Sequence, residues 1–300
     1  MISAECHRQE TAAEGVTCRV ETSFEPLEAL KEQWDEFVLK ADGDIYLTFD
    51  WCATWWKYYG EGRSLKIFLF ENQRGFAAVL PFFTETIRLG PVPVRLAKVV
   101  GSDYGLSLCH LPVSEDYAKV VFDRVFRDLI QGEGCDAVHL GPLSETYRLL
   151  PELESVCDKR AEDYSLAFRR KVSTHTLFHL PETFEEYLGS LDKKQRGNYR
   201  RDERLFGKHF MPGCDVVCSE DEVEPVFESF IQMHQTQWKA AGQQGHFKDW
   251  PKAKDFHREL VTTQVQAGRV AIFRLKGNDS VLAQQYCFQF GRNVYWRLPA

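Results

Sequence analysis

The stretch KKQRGNYRRDERL, residues 193–205, gathers Lys193, Lys194, Arg196, Arg200, Arg201 and Arg204. At helical spacing Lys193, Arg196, Arg200 and Arg204 send their charged heads to one side. Guanidinium groups fork onto phosphate or carboxylate oxygens. The stretch therefore reads either as an anion site built from Lys194, Arg196, Asn198 and Arg200, or as a solvated face paired to Asp192, Asp202 and Glu203. FIQMHQTQWKAAG sets His234 and Trp238 one helical turn apart. They are either ordinary packing or a cleft wall in which His234 accepts a proton near neutral pH. His257, in KDFHREL, carries the same two readings.

Two further segments could present chemistry. GSDYG, residues 101–105, is a turn flanked by apolar runs that either closes a loop or offers Asp103 and Tyr104 to a groove. In the last apolar run, Gln284, Gln285, Tyr295, Trp296 and Arg297 sit among apolar neighbours. Alternation allows one face of those strands to line a pocket, or simply to edge a wet sheet. The candidate catalytic residues are thus His234, Asp103 and Tyr104. The candidate substrate- or anion-binding residues are Lys194, Arg196, Asn198, Arg200, Trp238, Gln285 and Arg297.

Other chemistries lack their motifs. GxSxG, P-loop and HExxH patterns are absent, and no GxGxxG precedes a helix. Cys214 and Cys218 form the one close cysteine pair, at a spacing unlike a zinc knuckle, so no metal is expected. Nine cysteines, mostly within apolar runs, read as reduced and buried. With 37 Lys and Arg against 44 Asp and Glu, the formal charge of −7 argues against general nucleic-acid binding, although a local patch can still hold one phosphorylated ligand. The opening MISAECHRQETAAEG reads as a flexible tail over 1–15, and no apolar run is long enough to span a bilayer. A cytoplasmic location is the expectation.

The elements that must position these residues fall into two similar series. A strand at 17–23, helices at 26–41 and 48–60, and a hairpin from 64–72 and 74–89 come first. A strand pair at 94–109, a helix at 115–134, a buried strand at 135–143 and a helix at 144–157 follow. The second series has a strand at 173–180 and a single long helix at 183–206 with a Thr183/Glu186 capping box. Its basic face is joined to a broken apolar stripe. A strand at CDVVCS, helices at 222–242 and 251–268, and a hairpin from 269–277 and 280–300 complete it. The paired segments RGFAAVLPF and NDSVLAQQYCF suggest an internal duplication. An α/β (α+β) fold with mixed, mainly antiparallel sheets flanked by helices is expected, with domains at 16–165 and 166–300.

Four blocks, TFEEYLGSLDKKQRGNYRRDERL, FIQMHQTQWKAAG, KDFHRELV and GRVAIFRLKGNDSVLAQQYCFQFGRNVYW, carry a family resemblance in their order and spacing, together with WDEFV, TFDWCATWWKYYG and AAVLPFF earlier in the chain. The sequence resembles the CelD-like group of GNAT-fold acyltransferases, named for a cellulose-biosynthesis protein and related to the FemAB-type transferases. The resemblance implies tandem GNAT-like domains and transfer of an acyl group from acetyl-CoA or another acyl-CoA to an amine or hydroxyl. Such a role belongs to polysaccharide or envelope assembly, with a small-molecule or saccharide acceptor. Arg196 and Arg200 match the family's basic helix, and His234, Trp238 and His257 its central helices. The chain departs from the pattern after VYWRLPA, where relatives continue into a pyrophosphate-binding loop and helix, so the second domain looks truncated. Two rival expectations are an aminoacyl transferase using charged tRNA and a non-catalytic binding or scaffold protein.

Overall fold

The computed structural model describes residues 10–12, 15–105, 108–165 and 176–300, with side chains from residue 15 onward. The first half runs through β1 (Glu10–Ala12), β2 (Val16–Glu21), α1 (Lys31–Lys40), α2 (Phe49–Tyr59), β3 (Ser64–Asn72), β4 (Gly75–Leu89) and β5 (Val92–Val99). It ends with α3 (Ala118–Arg127), β6 (Ala137–His139) and α4 (Leu150–Lys159). The second half comprises α5 (Phe184–Ser190), α6 (Lys193–His209), β7 (Pro212–Val217), α7 (Glu220–Ala240), α8 (Ala253–Gln266), β8 (Val270–Gly277), β9 (Ser280–Phe290) and β10 (Asn293–Pro299). Strands β1 to β6 form one sheet in chain order, antiparallel except for the parallel β5–β6 pair. The order β10-β9-β8-β7 makes a second, wholly antiparallel sheet. The fold is mixed α/β, two sheets flanked by helices.

Both halves contain the same succession of a strand, two helices and three antiparallel strands: β2-α1-α2-β3-β4-β5 and β7-α7-α8-β8-β9-β10. Their hairpins agree to the residue. Asn72 pairs with Gly75 and Gly277 with Ser280, and one step further a bulge inserts Ala77 in one hairpin and Leu282 in the other. In the second turn Asn278 and Asp279 hold φ of 52° and 64°, the left-handed pair that a two-residue hairpin with right-handed strand twist requires.

One hydrophobic core runs through both halves. Trp51 of α2 meets Phe288 of β9 edge to face at 5.0 Å, Tyr46 meets Tyr295 at 5.6 Å, and Tyr59 meets Phe256 of α8 at 5.5 Å. Asp35 of α1 accepts the Phe49 backbone N–H at 2.7 Å and pairs with Arg269 at 2.7 Å. Burial pushes the Asp35 carboxyl upward and Arg269 pulls it back. The second sheet keeps an open outer face. Phe68, Phe70 and Leu80 of the first sheet are buried, whereas their register counterparts Phe273, Leu275 and Gln285 are half-buried or exposed.

Several elements differ from expectation. The single helix over 183–206 is two helices: Leu191 is extended, and Asp192 starts α6 by accepting the Gln195 N–H while Gln195 bonds back to the Asp192 N–H. Helix α6 has no buried residue, so the broken apolar stripe is not a buried face. The strand over 135–143 is three residues long and not buried, because only Ala137–His139 find partners on β5. The 94–109 pair keeps only its first strand among the described residues, the chain turning at 101–105. Residues 106–107, 173–175 of the expected strand over 173–180, and most of the 1–15 tail lie outside the described residues; 176–180 form no strand, and Glu10–Ala12 of the expected tail instead pair with β2 as β1. The helix over 144–157 forms as α4, six residues later. Among the described residues no helix is long and apolar enough to cross a membrane.

Candidate active site

Strand β10 carries a second bulge. Trp296 pairs with Cys287 and Leu298 with Tyr286, so Arg297 is the extra residue between them. The matching step of the first half, Val99 opposite Phe82 and Val100 bonded to Pro81, contains none. A bulge re-aims a side chain and frees the local ladder. Here the Arg297 guanidinium lies 5.7 Å from the Trp250 ring centroid. Its charge also reaches two buried groups, His257 on α8 and Tyr286 on β9.

His257 and Tyr286 lie in the core beside it, their rings 5.8 Å apart edge to face. Among the described residues neither ring nitrogen of His257 has a hydrogen-bond partner, nor does the Tyr286 hydroxyl, although both residues are essentially inaccessible. Burial holds the imidazole well below its usual value, with Arg297 adding to the effect, so it is neutral. Burial likewise pushes the Tyr286 phenol well up, which leaves an O–H available to donate. An unmade hydrogen bond on a buried polar group costs about 1–3 kcal/mol, and such groups gather where a ligand or water completes them. Trp250 packs on His257 at 6.1 Å and stacks on Tyr104 of the first half at 6.1 Å, with Tyr59 against Tyr104 at 5.1 Å.

A second polar group adjoins the first through Phe247, which touches His257 at 5.7 Å and His234 at 5.3 Å. His234 is fully buried on α7, its Nδ1 bonded to the Pro299 carbonyl at 2.6 Å and its Nε2 lying 3.2 Å from His246 Nδ1. Burial lowers its pKa and the Pro299 carbonyl partly restores it. Trp238, one turn along, meets the His246 ring edge to face at 4.7 Å.

The structure therefore brings together His234, Trp238, Tyr104 and Arg297 of the sequence-selected residues, along one wall of aromatic rings. Asp103 lies beside that wall with its carboxylate engaged, one oxygen 2.6 Å from Arg63 and the other 2.9 Å from Lys98, both cations also holding Glu85. Gln285 sits on the outer face of the second sheet, accepting the Trp296 indole N–H, while Tyr286 points to the other side. Lys194, Asn198 and Arg200 are exposed on α6. Arg196 is half-buried and donates to the carbonyls of Gly189 and Leu191, tying the end of α5 to α6.

Tyr286, Trp250 and His246 were not singled out in the sequence. Tyr286 reads there as one aromatic of an apolar strand, and only its bond-free hydroxyl marks it. His246 and Trp250 stand in the loop QQGHFKDWPKAK, whose dense polar and aromatic content was a usable signal.

Residues 193–300 match the family model described as Acetyltransferase (GNAT) domain. The matched segment, from α6 through β10, includes every residue of the wall except Tyr59 and Tyr104. The crystal structure of FemX is similar in fold, with a TM-score of 0.51 at 14% identity over 82% of this chain and 56% of that one. This chain spans little more than half the length of that relative. A conserved protein of unknown function from Bacteroides thetaiotaomicron VPI-5482 superposes with a TM-score of 0.48 at 12% identity, over 90% of this chain and 77% of that one. No curated protein matches the chain.

Proposed function

We propose that the protein transfers an acyl group from an acyl-CoA to an amine or hydroxyl of a small-molecule or saccharide acceptor, in polysaccharide or envelope assembly. The observation that carries this reading is the GNAT domain match over 193–300, the segment that holds the β10 bulge and the bond-free His257 and Tyr286. Among the described residues β10 is an edge strand whose outer backbone groups lack a strand partner, which suits an extended pantetheine arm. An acyl-CoA would supply the activated thioester. The chain's own contribution is polar groups held in a water-poor site, where a fixed donor is worth more than in water. The Tyr286 hydroxyl donates toward developing negative charge, the neutral His257 offers a lone pair, and Arg297 balances charge beside them. His234 and Tyr104 position the wall, and Asp103 orders the turn beside it.

Purified protein incubated with acetyl-CoA and longer acyl-CoAs, and monitored by calorimetry and thermal shift, tests the donor. Heat and stabilisation with at least one thioester are expected; neither with any of them contradicts the reading. A second reading, aminoacyl transfer from charged tRNA, is favoured by the exposed cations of α6 and the FemX-like fold. It requires RNA binding that weakens steeply with salt, whereas binding of a small thioester changes little.

A further inference from the structure

The loop between α7 and α8 borders an open surface cleft of about 250 Å³ lined by Trp238, Gln243, Gln244, Gly245, His246 and Asp249. Its chemistry follows from the two histidines beneath it. The Pro299 carbonyl can only accept, so the Nδ1 of His234 must carry the proton, and burial keeps that ring neutral. Its Nε2 is then a lone pair, which takes the His246 backbone N–H at 3.4 Å and the His246 Nδ1 at 3.2 Å. His246 Nδ1 must therefore also bear its proton. The remaining nitrogen, His246 Nε2, is left as an acceptor with no bond to any described protein group, on a ring that lines the cleft. Gly245 holds the loop close, since a Cβ there would meet Trp238 Cβ at 3.3 Å and the backbone has a φ of 79° that favours glycine.

We infer that this cleft binds one polyhydroxylated ring of a saccharide, stacked on Trp238, with a ring hydroxyl donating to His246 Nε2. The volume falls below the roughly 300–1,000 Å³ of sites for drug-sized ligands, which leaves room for a single ring. The Asp249 carboxylate disfavours a phosphate or carboxylate ligand and accepts from hydroxyls. The primary amides of Gln243 and Gln244 both donate and accept, as a ring of mixed hydroxyls requires. His234, which touches no ligand, is a positioning residue that fixes the His246 tautomer. The proposal depends on the acyltransfer reading only for the ligand's role as acceptor, not for its binding.

Two NMR measurements on the whole chain test it. Long-range ¹H–¹⁵N correlations of the imidazoles at pH 7.5 should find His234 and His246 both protonated on Nδ1; His246 protonated on Nε2 overturns the relay. Saturation-transfer spectra with methyl glucoside, cellobiose and glucosamine, without acyl donor, should reveal binding that drops at least tenfold in Trp238→Ala and His246→Ala. His234→Asn keeps a donor for Pro299 but offers His246 no lone pair at the same place, and should weaken binding comparably. Absence of saturation transfer with every glycoside, equal binding by Trp238→Ala, or binding of methylammonium in place of neutral sugars overturns the saccharide assignment. Because no thioester is present, such a failure is distinct from a failure of acyl transfer.

Discussion

At the scale of single residues, the account rests on buried groups whose hydrogen bonds are not made. Tyr286 is the clearest case, a hydroxyl without a partner at 0% exposure. Tyr286→Phe is expected to leave the melting temperature unchanged or raise stability by about 1 kcal/mol, while slowing acyl transfer on the order of 100-fold. Unchanged turnover would remove the hydroxyl from the chemistry. His257 and His234 make a pH prediction. Both are held below the ordinary value of 6.5, so the unfolded chain takes up their protons first as pH falls. Stability is therefore fully present above about pH 6.5 and declines below it, by at most about 1.4 kcal/mol per pH unit for each histidine and only until that histidine protonates in the folded chain. Denaturant titrations between pH 7.5 and 5 should show that decline, flattened in His257→Phe; an equal slope in the variant contradicts the assignment. His234 and Trp238 were legible in the sequence because one helical turn links them. Their pairing with His246 was not, because only the fold of a loop after α7 brings that ring back onto α7.

At the scale of elements, the hairpins were the most legible parts. Their turn residues and strand patterns are local, and the structure adds a bulge at the same step of each. The basic helix was less so. A periodic pattern continues across Leu191, but Asp192 and Gln195 form a capping box that ends one helix and begins another. Asp192→Ala should cost α6 about 1 kcal/mol. Because that helix buries no residue, hydrogen exchange in 193–209 should accelerate with little change in the global melting temperature. A large global loss would mean that α6 is integrated into the core. Arg196 and Arg200 also separate here. Arg196 ties α5 to α6, so Arg200→Ala is the cleaner test of an anion site, and unaltered binding of acyl-CoA or RNA in that variant returns α6 to plain surface.

At the scale of the whole molecule, the two halves of matching topology share one core and are pinned by the Asp35–Arg269 pair. Asp35→Ala leaves Arg269 largely buried without its carboxylate, which should cost about 3–5 kcal/mol and lower a single cooperative transition. Two separate melting steps in the wild type would show instead that the halves unfold independently. The α/β class and the repeat were readable from the order of strands and helices. The joining of Tyr104 to Trp250 and His257 was not, because contacts between halves leave no periodicity in either. The measurement closest to the central claim is release of free coenzyme A thiol from an acyl-CoA by the purified chain, with and without a glycoside or amine acceptor. The account predicts acceptor-dependent release that falls sharply in Tyr286→Phe. No release with any acyl-CoA and acceptor, together with no thermal shift, would contradict it.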